Sequence, residues 1–392
     1  MKTFVREIVD ATISEAGGNL REGTRAGAER LIRGLERYVS DTKRGADKPS
    51  PGAFTRRQVE SMRIGDVFET LCNRDKGLDM NDFTAVREAV SASAFPTVTS
   101  TLISSFVIPK YEYSLGDVMK LVTVVPCERP DETIVGFGAT DPLEKIGEEQ
   151  YYPGTNFNEK YVTIRTHKFG RMISVTKEVV VFDQTKKITG RANSIGEKAG
   201  LHQHEIIISK ATGVACTPTG EAANAAFNYL GSATAMYADT HAAVDGQVND
   251  NISATALSHD GLVNLNTLIA SIKDEKGSRV VFMPDILLVP RALMISAQQL
   301  LGSDKQSGVA NNDINPFKGA YQLVVSPFCD DNSATLHYLG DFKKQLVWLE
   351  VWPLQFERDS GDFGNDTVTR VKVSYFGNAG NTDYRYVQRG GT

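Results

Sequence analysis

Cysteine, tryptophan and histidine are scarce in this chain, and each scarcity excludes something. The 392 residues include four cysteines, two tryptophans and six histidines. Cys72, Cys127, Cys216 and Cys329 stand far apart with no Cys-x-x-Cys, which excludes a zinc ribbon, a thioredoxin-type motif and a disulfide-dense secreted scaffold. Free thiols in a reducing compartment are expected. No stretch approaches the roughly 18 apolar residues of a membrane-spanning helix. Met1–Asp10 interrupts its apolar residues with Arg6, Glu7 and Asp10, unlike a signal peptide, so a cytoplasmic origin is expected. Walker A, GxSxG, HExxH, GxGxxG and EF-hand sequences are also missing.

What remains of site chemistry has a plainer reading in each case. His202 and His204 lie two apart on a predicted helix. They do not share a face, so one helix cannot clamp a metal with both. Asp245–Asn251 lacks the glycine and terminal glutamate of a calcium loop and reads as a polar loop. Gly136-Phe-Gly138 enters no helix and reads as a turn. Glu148 and Glu149, at a predicted hairpin tip without a pocket, read as salt-bridge partners rather than a catalytic pair. No catalytic residue, cofactor site or metal site is predicted.

The composition is that of an ordinary globular protein, 41% hydrophobic and 23% charged, with net charge −5. Its charge is unevenly spread. Asn19–Arg57 has ten Lys/Arg against five Asp/Glu, a local +5 that leaves −10 on the rest. Arg25, Arg33 and Arg37 fall in this stripe, on a predicted helix whose other face is Leu31, Ile32, Leu35, Tyr38 and Val39. Further helices are expected around Val59–Leu71 and Asn81–Val90, after a Pro/Gly linker over Asp41–Gly52. These short stripes need a body or a neighbour to lie on.

The strongest pattern runs from Asp131 to Val214. Thr133–Phe137 and Tyr161–Phe169 read as a β-hairpin. Its tip, Gly147–Asn158, is rich in turn formers and acids. Gly170 reads as a bulge or bend, and Arg191–Val214 as one long helix stopped by Gly213. An arm with so little apolar content gains little by packing on its own body, which points to assembly. Glu221–Thr255 reads as long loops. A helix capped by Ser258, a buried strand at Asp285–Val289, a helix over Arg291–Leu301 and strands at Tyr321–Val325 and Leu336–Leu339 suggest a small α/β unit. Strands at Leu346–Trp352 and Val368–Tyr375, a turn at Gly377–Asn381 and a last strand at Tyr384–Gln388 close the chain.

Several residues in order carry a family likeness: Phe95-Pro-Thr-Val, Tyr111, Gly170–Glu178 followed by Phe182-Asp183, Pro284–Pro290, Asn315-Pro-Phe, Leu323–Pro327 and Tyr384-Arg-Tyr-Val-Gln. Over about residues 95–392 the chain resembles tailed-bacteriophage major capsid proteins of the HK97 fold, and within them the major head subunits of Mu-like phages. The resemblance implies an α+β, HK97-like capsid fold. Its parts would be an N-terminal arm with lead-in (1–130, helical to about 94), an extended E-loop hairpin (131–176), and a peripheral domain with a long spine helix (177–220) and C-terminal strands (342–392). An axial α/β domain would occupy 221–341.

It further implies hexamers and pentamers of an icosahedral shell enclosing double-stranded DNA. Scaffold, portal and decoration proteins are candidate partners, and no membrane is involved. The virion would be assembled in the host cytoplasm. Inter-subunit contact is expected from Lys145, Glu148, Glu149, Tyr151, Tyr152 and Phe157. Arg25, Arg33 and Arg37 are expected either to face DNA without sequence readout or to accompany docking of the Leu31/Leu35/Tyr38 face on an adjacent subunit. Some relatives join an E-loop lysine to an asparagine by an isopeptide bond; Lys145, Lys160, Asn378 and Asn381 are available, but the polar tip argues against it. The competing readings are an encapsulin-like shell around cargo protein and a cytosolic enzyme with an α/β domain.

Overall fold

The computed structural model describes residues 4–44, 49–73, 94–137, 145–146, 148, 151–152, 154, 159–181, 184–213, 227–229, 232–242, 248–274, 276–306, 314–360 and 367–391. The chain has the mixed α+β character expected, divided into two units. The first comprises residues 1–116, 168–202 and 352–376; the second comprises residues 117–167, 203–351 and 377–392.

The first unit begins with α1 (Phe4–Glu15) and α2 (Leu20–Lys43). Gly17 and Gly18, at φ 65° and 83°, turn the chain between them, a conformation that glycine adopts without cost. The Asn19 side chain caps α2 by accepting from the Glu22 amide. Gly23 lets the helices meet: a Cβ there would lie 2.5 Å from Cγ1 of Ile13. Two short helices follow, α3 (Arg56–Ser61) and α4 (Ile64–Phe68), and then α5 (Phe95–Leu115). A capping box between Thr55 and Gln58 starts α3.

Leu31 and Leu35 are fully buried in this chain's own core. That core also holds Val5 and Val9 of α1, Val67 and Phe68 of α4, and Val98, Leu102 and Val107 of α5. Leu31 and Leu35 are therefore closed to an adjacent subunit, and of the face expected to dock there only the half-buried end at Tyr38 stays accessible. The stripe has found its partner within the chain, because α5 lies against it. The third helix expected at Asn81–Val90 lies outside the described residues.

Strand β4 (His167–Thr176) lies beside β14 (Thr367–Asn381), which lies beside β13 (Leu346–Ser360). Gly170 belongs to β4, where a Cβ would meet the Val373 carbonyl oxygen at 2.8 Å. It allows close approach of a neighbouring strand. Helices α6 (Lys177–Val181) and α7 (Thr185–Thr212) follow. The latter starts earlier than its apolar pattern suggested and ends where Gly213 takes φ 70°. His202 Nδ1 lies 2.5 Å from the Tyr375 hydroxyl, and its ring packs edge-on to Phe169. Burial lowers the pKa of the imidazole.

The second unit has a five-stranded sheet in the order β11-β10-β12-β15-β9. Its strands are β9 (Ile252–Ser253), β10 (Ile286–Pro290), β11 (Gln322–Ser326), β12 (His337–Gly340) and β15 (Val387–Gly390). Every residue of β10 is buried, as befits a central strand. It runs parallel to β11 and antiparallel to β12. Helices α8 (His259–Ser271), capped by Ser258, and α9 (Met294–Gly302) supply Leu262, Leu265, Ile269, Ala297 and Leu301 against Leu287, Val289 and Leu339.

Asn315 ties the end of α9 by donating to the carbonyls of Leu300 (2.5 Å) and Ser303 (3.0 Å). The short helices α10 (Phe328–Asn332) and α11 (Phe342–Gln345) connect strands. Short strands β5 (Phe227–Tyr229), β6 (Ser232–Thr234), β7 (His241–Ala242) and β8 (Val248–Asn249) stand where loops were expected. Gly377–Asn381 is not a turn but the end of β14. Gly377 faces the Trp348 ring and the Leu349 carbonyl, where a Cβ would lie 2.6 Å from the oxygen.

Leu35→Ala tests whether α2 belongs to the body. Loss of a fully buried leucine is expected to cost about 2–5 kcal/mol, read as a lower unfolding midpoint in urea. A change under about 0.5 kcal/mol, the size of a surface effect, would contradict that placement.

Candidate assembly surface

The predicted hairpin is present in the second unit. Strands β2 (Asp131–Phe137) and β3 (Glu159–Arg165) pair antiparallel, from Asp131↔Arg165 to Phe137↔Glu159. Seven residues per strand span roughly 20 Å. These two strands make a sheet of their own. Thr166 ends β3, its amide donating to the Pro130 carbonyl at 2.8 Å. Tyr161–Phe169 is therefore not one strand: the break at Thr166 separates the hairpin from β4.

The base of the hairpin is anchored. Ile134, Val162 and Ile164 pack with Cys127, Val347, Leu349 and Val351. The Cys127 amide donates to the Glu350 carbonyl at 2.9 Å. There β1 (Thr123–Pro126) runs parallel to β13, pairing Thr123 with Val347. All four β1 residues are exposed.

The tip differs sharply from the base. Tyr151 is 97% exposed and Tyr152 85%. Lys145 and Glu148 are also exposed. Glu149 and Phe157 lie outside the described residues. Water around two such rings is unfavourable unless something covers them. The second unit also exposes Val281, Met283, Ile295 and Ile314. Nothing in their local sequence pattern marked these four. Val281 and Met283 precede β10 closely enough to read as core.

Asn378 and Asn381 have structural work of their own. Their amides donate to the carbonyls of Arg165 and Lys210, each at 2.7 Å. Lys160's side chain lies outside the described residues. On α2, Arg25 and Arg33 flank Glu29 at 3.6 and 3.2 Å, and Arg37 donates to the Pro51 carbonyl at 2.5 Å. Arg25 and Arg33 are exposed, so these pairs contribute little. Among the described residues no group of His, Cys, Asp or Glu is arranged to hold a metal, and no helix is long and apolar enough to cross a membrane.

A hairpin with an anchored base and bare aromatic tip is the build of a subunit that associates with others. Residues 159–390 match the family model described as phage capsid protein, and the chain belongs to that family. It is a phage capsid protein, a structural component of a virion's shell. No curated protein matches the chain. Among solved structures it is similar to the capsid of a native GTA particle, with 14% identity, TM-score 0.46, and 71% of this chain and 89% of that one covered. The capsid of Ralstonia phage GP4 aligns at 10% identity and TM-score 0.46, covering 69% and 86%. A Mycobacterium phage Ogopogo structure aligns at 14% and 0.41, covering 70% and 91%. At such scores the assignment rests on the family match.

With both asparagine amides engaged by backbone carbonyls, no isopeptide cross-link is expected. Shells boiled in denaturant should run as one band near 42.9 kDa; a ladder of multimers would contradict this.

Proposed function

We propose that the β2–β3 hairpin is the arm by which one capsid subunit grips another, in hexamers and pentamers of a shell that encloses double-stranded DNA. The division of labour is HK97-like: the hairpin as E-loop, α7 as spine helix, and residues 221–341 as axial domain. The observation that carries this reading is the pair of exposed tyrosines, Tyr151 and Tyr152, at the tip of a hairpin whose base is packed. Lys145, Glu148, Glu149 and Phe157 belong to the same contact. Assembly takes place in the host cytoplasm, with scaffold, portal and decoration proteins as partners. An enclosed protein cargo is the rival content, which the family description disfavours. Deleting Gly147–Asn158 should leave soluble subunits that do not close shells in electron micrographs. Normal shells from the deletion would overturn the reading.

The basic stripe has a separate use. With Leu31 and Leu35 buried internally, Arg25, Arg33 and Arg37 are left as an exposed cationic face. On the inner wall they would offset repulsion between an acidic shell and packed DNA, through phosphate contacts without base readout. Changing all three to Gln should leave empty shells sound and make full heads less stable, with the difference fading at high salt. Fragile empty shells, or full heads of unchanged stability, would count against it.

A further inference from the structure

The first unit contains a cleft of about 920 Å³ that the capsid reading leaves unused. It is formed by the end of α2, α3, the second half of α5 and the start of α7. Among the described residues four cations line it, Arg56, Arg63, Lys110 and Lys186, against one anion, Glu60. Arg56 pairs with Glu60 at 2.7 Å. The aromatic lining is Tyr38, Phe106 and Tyr113. Tyr113 is 84% exposed, with the Lys110 ammonium 6.0 Å from its ring centre. A basic cleft with exposed aromatic surface suits an acidic, aromatic segment, through charge attraction, ring stacking and cation–π contact.

This chain has such a segment. Residues 138–158 hold Asp141, Glu144, Glu148 and Glu149 against Lys145 alone, with Tyr151 and Tyr152 beside the last two acids. The segment's net −3 matches the lining's net +3. We propose that the cleft is the receptor for the hairpin tip of a second copy of this chain. The acids meet Lys110, Lys186 and Arg63, and Tyr151–Tyr152 lies against Tyr113 and Tyr38. The proposal rests on the arm reading above and adds the surface that the arm grips. That surface is built largely from residues N-terminal to the family match, so it would be a feature of this chain's enlarged N-terminal region.

The test is a cross-link. Tyr113→Cys and Tyr152→Cys both fall at exposed positions, whereas Cys72, Cys127 and Cys329 are buried. Shells of the double variant, treated with a short bismaleimide, should give a ladder of multimers on denaturing gels; each single variant should give only background. Charge reversal keeps the proposal testable if the double variant assembles poorly. Lys110→Glu with Lys186→Glu, or Glu148→Lys with Glu149→Lys, should each lower shell yield by about tenfold, as like charges then face each other. All four together should restore most of the yield. Shells with no cross-linking above background, or no recovery in the fourfold variant, would overturn the proposal. If deletion of Gly147–Asn158 still blocks assembly, the arm reading survives that failure and only the receptor is wrong.

Discussion

The first unit depends on one close helix crossing. Gly196 and Gly200, one turn apart on α7, lie against the backbone of α5. A Cβ at Gly196 would collide with the Val107 carbonyl, and one at Gly200 would lie 2.5 Å from that of Tyr111. Hydrogen in place of a methyl group lets the two backbones touch, and dispersion over that contact is available only at such range. The crossing positions α5, on whose other neighbours the N-terminal helices rely. Leu31 and Leu35 of α2, Val67 of α4 and Val98 and Leu102 of α5 fill one core with Ile188 and Ala192 of α7. An alanine in place of either glycine would push α5 away and loosen all of them.

The contrast between buried and bare apolar surface organises the functional reading. The stripe on α2 is amphipathic, and its apolar side is satisfied within the chain. The hairpin base is satisfied likewise by Val347, Leu349 and Val351. Tyr151, Tyr152, Tyr113, Val281, Met283, Ile295 and Ile314 remain exposed. A shell subunit has this economy: its core is closed, and the surfaces left open are those that a symmetric neighbour covers. Heterologous contacts that close produce rings, and extended arms can join rings into a shell.

Much of this was legible from residue patterns, and the failures have physical causes. Period-2 alternation found β2 and β3; Gly213 marked the end of α7; Ser258 marked the start of α8; an unbroken apolar run marked β10. The helix Phe95–Leu115 was missed because Val98, Thr99, Thr101, Ile103 and Val107 are β-branched. Burial on several sides overrides that weak preference. Gly377 and Gly380 suggested a turn, but they are glycines for packing, against Trp348 and Ile164. The apolar face of α2 was correctly read, but amphipathicity identifies a buried face without naming what buries it. The basic cleft had no sequence signal, since Tyr38, Arg56, Lys110 and Lys186 come from four separate helices. The glycine pair at 196 and 200 was the available clue to the α5–α7 crossing.

On this reading the chain closes a shell by placing its hairpin on a neighbouring copy. An electron cryomicroscopy reconstruction of the particles formed by the purified protein tests it most directly. A closed icosahedral shell is expected, in which density for Tyr151 and Tyr152 of every subunit lies against another subunit. Hairpins folded back on their own subunits within the shell, or a protein that remains a 42.9 kDa monomer at every concentration and salt, would contradict it.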